Sequence, residues 1–158
     1  MKVIKNCVFS LLLAFSLVGC NAETDERTSL ELPAFELIHN GQFIEQGGNT
    51  SKSIQILETR QQYEATLAKY SSDGAIERTL EGKVVLLLDM GKRHHSGYGI
   101  LLTRVFTENG QSILEIQTEL QGEGCAYATV ETNPYVFYLL DAANDYLVRE
   151  TSVTKTCD

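Results

Sequence analysis

Lys83-Val84-Val85-Leu86-Leu87-Leu88-Asp89-Met90-Gly91 is the stretch on which the architecture turns. Its centre, Val84 to Leu88, is a continuous apolar run bounded by Gly82 and Gly91. A strand with one wet face alternates apolar with polar residues. An unbroken run of this length predicts a strand covered on both faces.

Downstream, Tyr98, Ile100, Leu102 and Phe106 recur at even spacing and are expected on one face of the next strand. Leu114, Ile116, Thr118 and Leu120 do the same for the strand after it. Between them, Thr107-Glu108-Asn109-Gly110-Gln111 holds Asn-Gly, the strongest short hairpin signal. A second hairpin is expected from Tyr135–Leu140 through Asp141–Asp145 to Tyr146–Val153. Upstream, Thr59 and Gln62 stand at capping-box spacing, Tyr63, Leu67 and Tyr70 follow at i, i+4 and i+7, and Ser71-Ser72-Asp73-Gly74 closes the run. That is one helix, whose aromatic stripe is expected to pack on a sheet rather than to serve as a ligand platform. Before it, a strand-like stretch from Phe35 to Glu45 is broken at Asn40-Gly41, residues 47 to 53 form a loop, and Ile54 to Leu57 form a short strand. One helix followed by a run of antiparallel strands is an α+β, mainly antiparallel β arrangement: a helix packed on a β-sheet or sandwich-like strand array.

The N-terminus carries different information. Lys2 and Lys5 precede an apolar run from Val8 to Val18, interrupted only by Ser10 and Ser16. This has the charged start and short apolar core of an export signal, and at about a dozen residues it falls short of the roughly 20 that span a bilayer. Leu17-Val18-Gly19-Cys20 resembles the lipobox of bacterial lipoproteins, in which the cysteine thiol is diacylated, the signal is cut, and the new amine is acylated. The alternative is an ordinary secretory signal with a cysteine near its end. Under the lipobox reading, residues 1–19 are the signal peptide and residues 20–33 an acidic flexible tether containing Glu23, Asp25, Glu26 and Glu31. Residues 34–158 form a single domain. Lipid on Cys20 would hold the protein in the cell envelope, facing the periplasm or the exterior. Asn21 rather than Asp follows the cysteine, which favours the outer membrane if the cell has two.

The mature chain has 139 residues, enough for one sizeable core. Loss of Lys2 and Lys5 with the signal takes the formal charge from −8 to −10. Such an acidic domain repels phosphate backbones, so nucleic acid is not expected as a partner. Cys7 leaves with the signal and Cys20 takes the lipid. Cys125 and Cys157 remain as an even pair in a compartment that permits oxidation, and they are expected to form one disulfide. The rival reading is a zinc or redox pair, against which stand the absence of CxxC spacing and of a histidine nearby in sequence.

Catalytic motifs are missing: there is no GxSxG elbow, Walker loop, GxGxxG, HExxH or CxxC. No enzymatic activity and no cofactor are therefore expected. His94-His95 is a poor chelate, because adjacent side chains on extended backbone point apart, and no metal is expected. One segment does stand out. Gly91-Lys92-Arg93-His94-His95-Ser96-Gly97-Tyr98-Gly99 sets basic and imidazole groups among three glycines, between two strands, in an otherwise acidic chain. Loops held by rigid strands are where binding residues concentrate. Arg93, His94, His95, Ser96, Gly97 and Tyr98 are accordingly the candidate partner-binding residues, with an ordinary connection as the alternative.

Val84-Val85-Leu86-Leu87-Leu88-Asp89-Met90-Gly91, then Arg93, Gly97-Tyr98, Gly124-Cys125 and Thr132-Asn133-Pro134-Tyr135-Val136 together resemble the C-terminal domain of the PrcB family. That family's pattern is a hydrophobic strand, G-x-R-P-T-G-G-Y, a hairpin, and a T-x-P-Y strand. His94-His95-Ser96 stands where the family usually has Pro-Thr-Gly. The resemblance covers roughly Gly82 to Val148. It implies a surface lipoprotein that accompanies a secreted subtilisin-like protease, hence an accessory or interaction subunit whose partner is an extracytoplasmic protein. A more distant likeness is to chagasin-type cysteine-protease inhibitors, which present a glycine-rich loop between strands. It implies a protease inhibitor that uses residues 91–99 as a wedge.

Overall fold

The Lys83–Gly91 stretch becomes the strand Lys83–Asp89, every residue of which after Lys83 is buried. In the computed structural model, residues 34–157 are described, apart from 47, 78 and 144. The expected signal peptide (1–19), Cys20 and the expected tether (20–33) lie outside the described residues. The elements in chain order are β1 (Phe35–Gly41), β2 (Ser53–Leu57), α1 (Arg60–Tyr70), β3 (Lys83–Asp89), β4 (Gly99–Glu108), β5 (Gln111–Leu120), β6 (Tyr135–Asp141) and β7 (Tyr146–Thr154). They build a four-stranded sheet in the order β1-β6-β3-β2 and a three-stranded sheet in the order β4-β5-β7.

The double burial of β3 follows from where its two faces go. Val84, Leu86 and Leu88, with Val136, Tyr138 and Leu140 beside them on β6, pack against Ile100, Leu102, Leu114 and Ile116 of the three-stranded sheet. The alternate residues, Val85 and Leu87 with Tyr135, Phe137 and Leu139, pack against Tyr63, Leu67 and Tyr70 of α1. The four-stranded sheet is thus the middle layer, with the helix on one face and the smaller sheet on the other. This is the α+β, mainly antiparallel architecture expected, with the helix packed on a sheet. No helix among the described residues is long and apolar enough to cross a membrane.

Local signals hold where they are self-contained. Thr59 Oγ1 accepts from the Gln62 N–H at 3.2 Å, while Gln62 Oε1 accepts from the Thr59 N–H at 3.1 Å, closing the capping box. Asn109 and Gly110 both take positive φ (52° and 80°), as the two-residue turn between β4 and β5 requires. Cys125 and Cys157 are bonded, with Cα atoms 5.4 Å apart, which ties the tail beyond β7 to the connection between β5 and β6.

Two expectations give way to tertiary structure. β6 and β7 do not form a hairpin. Both edges of β6 are occupied by β1 and β3, so β7 has no free edge there. It crosses to the other sheet and runs parallel to β5. Phe106 does not share a face with Ile100 and Leu102. A register shift between Leu102 and Arg104 reverses the alternation, so Val105 joins the core and Phe106 turns outward. There its ring lies 4.2 Å from the Arg104 guanidinium carbon and 5.6 Å from that of Arg149.

Candidate functional site

The loop that links β3 to β4 is rooted in a buried carboxylate. Asp89, the last residue of β3, is fully buried. Its Oδ2 accepts from Tyr70 Oη and Asn49 Nδ2, each at 2.7 Å. Its Oδ1 accepts from the Gly91 N–H at 2.7 Å and from Asn133 Nδ2. These donors are a phenol, two amides and a backbone N–H. Four hydrogen bonds replace the water that a buried carboxylate loses. Burial beside this carboxylate also pushes the Tyr70 phenol well above its usual range. The network gathers α1, the 49 segment, the 133 segment and the first turn of the loop around one side chain.

Gly91 is demanded at this root. Its φ is +73°, and a Cβ there would come within 2.6 Å of the Ser51 carbonyl carbon. Beyond it, the loop is stitched along its length to residues 121–134. Arg93 and Thr132 exchange both backbone hydrogen bonds at 2.8 Å, and Thr132 Oγ1 donates to the His95 carbonyl at 3.1 Å. The Ser96 N–H donates to the Ala128 carbonyl at 3.0 Å. Ser96 Oγ accepts from the Ala128 N–H at 3.0 Å, and Gln121 Nε2 donates to the Ser96 carbonyl at 2.6 Å. Gly97, at φ +97°, lies against the Tyr127 ring, where a Cβ would sit 2.1 Å from ring carbons. Tyr127 Oη in turn accepts from the Gly122 N–H at 2.8 Å.

The candidate residues therefore divide. His94 and His95 are exposed at the tip. Arg93 is half-buried, with its guanidinium carbon 5.7 Å from the Tyr98 ring centroid and its Nη1 donating to the Lys92 carbonyl at 3.1 Å. Lys92 pairs with Glu131 at 3.1 Å on the loop's flank. Ser96 spends its hydroxyl holding the loop together, and Gly97 serves the close approach to Tyr127. Tyr98 packs partly against the inter-sheet core. It also lines a cleft of about 390 Å³ between the ends of β1 and β4, together with Leu37, Gly41, Ile100 and Tyr135. Sequence reasoning found the loop but missed Asp89, Asn49 and Asn133, whose only signal was an acid closing an otherwise apolar run two residues before a glycine.

Among the described residues, no three His, Cys, Asp or Glu side chains gather as a metal site. The arrangement is an ordered backbone that displays an arginine and two imidazoles, with Tyr98 lining a cleft beside them. Compared with family models, curated proteins and solved structures, the chain matches none of them.

Proposed function

We propose that this chain is an extracytoplasmic lipoprotein, anchored to a membrane through lipid on Cys20, whose domain is a non-catalytic protein-binding or accessory module. Its binding element is Arg93 to Tyr98 of the 91–99 loop, and its partner is an extracytoplasmic protein. The resemblance to the PrcB family supports a secreted protease complex as the setting, and Asn21 supports the outer membrane where there are two. The observation that carries the reading is the double backbone pairing of Arg93 with Thr132, continued by Ser96 with Ala128. A loop already held in one conformation loses little entropy on binding, so contacts from Arg93, His94 and His95 convert more fully into affinity. Arginine in addition is enriched among residues that dominate interfaces.

The test is capture of partners from membranes by the tagged full chain and by its Arg93→Ala, His94→Ala, His95→Ala triple variant. The variant should lose the partner while its unfolding midpoint moves by no more than about 0.5 kcal/mol equivalent, since His94 and His95 are exposed and the Arg93 side chain reaches only the Tyr98 ring and the Lys92 carbonyl. Capture of the same proteins with unchanged affinity would mean that the loop is only a connection. Lipid labelling of the wild type that disappears in Cys20→Ala tests the anchor, and labelling that persists refutes it. A pre-ordered glycine-bounded loop also suits an inhibitor's wedge. Stoichiometric inhibition within a panel of serine and cysteine proteases would favour that reading over an accessory role.

A further inference from the structure

The two sheets have four edges, and they are not alike. Edge strands expose unpaired backbone donors and acceptors, and folded proteins blunt them by shortness, bulges, proline or charged side chains. β2 is only five residues long. β1 has a register shift between Leu37 and His39, and β4 has one between Leu102 and Arg104. β7 is neither short, bulged nor broken by proline; its one such device is the charged pair Arg149 and Glu150 at its centre, each ion-paired within the chain, to Glu108 and to Lys52. The strand runs nine residues, from Tyr146 to Thr154, in unbroken register with β5, its only strand partner among the described residues, and contains neither proline nor glycine. It also holds Leu147, Val148 and Val153, at 47, 44 and 45% exposure, three of the six large apolar side chains left exposed among the described residues.

We propose that the free edge of β7 pairs antiparallel with β7 of a second copy of this chain, joining two three-stranded sheets into one of six strands. The pattern of the strand identifies the occupant. Leu147 and Val153 lie on the same face, each three residues from Glu150. An antiparallel partner related by a two-fold axis at Glu150 thus sets Leu147 of each copy opposite Val153 of the other, and Val148 opposite Ser152. The first pairing extends an apolar row already present on the outer face, where Phe106 is paired with Ile113 and Ile113 with Leu147. Glu150 would face itself across the axis. Lys52 is ion-paired to it within each copy and offsets that like-charge contact. Backbone hydrogen bonds supply the affinity of such an edge, and the alternating side chains supply its register.

Cysteine pairing in the full chain tests the register directly. Opposed residues of an antiparallel pair have Cα atoms about 4.5–5.5 Å apart, within disulfide reach. Glu150→Cys should therefore give a disulfide-linked homodimer on mild oxidation, above the level of the unsubstituted chain. Ser152→Cys should not, because the two copies of that residue would stand ~14 Å apart along the strands. Adding Leu147→Lys and Val153→Lys to the Glu150→Cys chain should cut the dimer by about tenfold or more, since two apolar cross-strand pairs are lost. Its unfolding midpoint should hold, because both side chains are exposed. Three results would overturn the proposal: a Glu150→Cys chain that stays monomeric, linking through Ser152→Cys to the same extent, or an adduct of Glu150→Cys with a different protein.

Discussion

β6 and β7 are consecutive in the chain, joined by a short connection, and both are rich in residues that favour strands. Their fates are opposite. Tyr135 to Leu140 of β6 are all buried, hydrogen-bonded on both sides and covered on both faces. In β7 only Tyr146 is even half-buried, and one edge has no strand beside it among the described residues. The difference lies in how many apolar faces each strand owns. β6 offers Tyr135, Phe137 and Leu139 to the helix layer and Val136, Tyr138 and Leu140 to the smaller sheet. β7 places Arg149-Glu150-Thr151-Ser152 at its centre, and burying that centre would cost more desolvation than its flanking Leu and Val return. Adjacency in sequence thus decides less than the demand for cover.

The contrast breaks most visibly under truncation. Phe137 is fully buried and packs edge-on against Tyr70 and Tyr135, with ring centroids 5.5 and 5.9 Å away. Phe137→Ala should destabilise by about 3–5 kcal/mol in denaturant unfolding, whereas Leu147→Ala on β7 should stay within about ±0.5 kcal/mol. Equal losses would contradict the assignment of one strand as core and the other as surface.

A smaller effect concerns how the exposed strand is kept in place. The bond between Cys125 and Cys157 closes a segment of 33 residues, counting both ends, that contains the whole of β6 and β7. Cys157→Ser should lower stability by about 3–4 kcal/mol on the chain-entropy model, at or just below the Phe137 loss. The larger local consequence should be faster amide exchange in β7 than in β6, read by hydrogen exchange, because β7 has little buried area to hold it once its tail is free.

The smallest expected effect depends on pH and lies on the β6 side of the comparison. His39 of β1 sits 2.8 Å from Tyr63 Oη through Nε2, with its ring edge-on to Phe137 at 6.1 Å, and Tyr63 Oη also accepts from the Ile76 N–H at 3.3 Å. Burial lowers its pKa from the ordinary 6.5, and nearby Asp73 opposes that shift only in part. The unfolded chain therefore takes up the proton first as pH falls. Stability from neutral His39 is complete above about pH 6.5 and is lost as pH drops towards the folded value. Between about pH 7 and pH 5 the wild type should lose more of its unfolding midpoint than His39→Gln does. A wild-type slope no steeper than the variant's would show that the ring is not held neutral by its surroundings.

The legibility of these features follows their range. The capping box at Thr59 and Gln62, the Asn109-Gly110 turn and the burial of Val84 to Leu88 depend on residues within one or two turns of chain, and the sequence alone predicts each. The pairing of Cys125 with Cys157 was readable by counting cysteines, because the lipoprotein reading of the N-terminus sets Cys7 and Cys20 aside and leaves an even pair. The 91–99 segment was visible as a basic, glycine-bearing interruption between apolar runs. How it is held was not, since Thr132, Ala128 and Gln121 lie 25 or more residues away and contribute mostly backbone groups, which every residue possesses.

What the sequence determined by itself was the inventory: one helix, a set of strands, a doubly covered central strand and a loop of unusual composition, all set by local periodicity and turn chemistry. Only the tertiary structure decided which strands became neighbours. β6 had both edges taken, so β7 was sent to the second sheet. A single register shift after Leu102 turned Phe106 from core to surface. Asp89, an ordinary acid in the sequence, became the anchor of the loop because Tyr70, Asn49 and Asn133 converge on it. Such outcomes depend on competition for edges, faces and hydrogen-bond donors among segments far apart in the chain, which no local window contains.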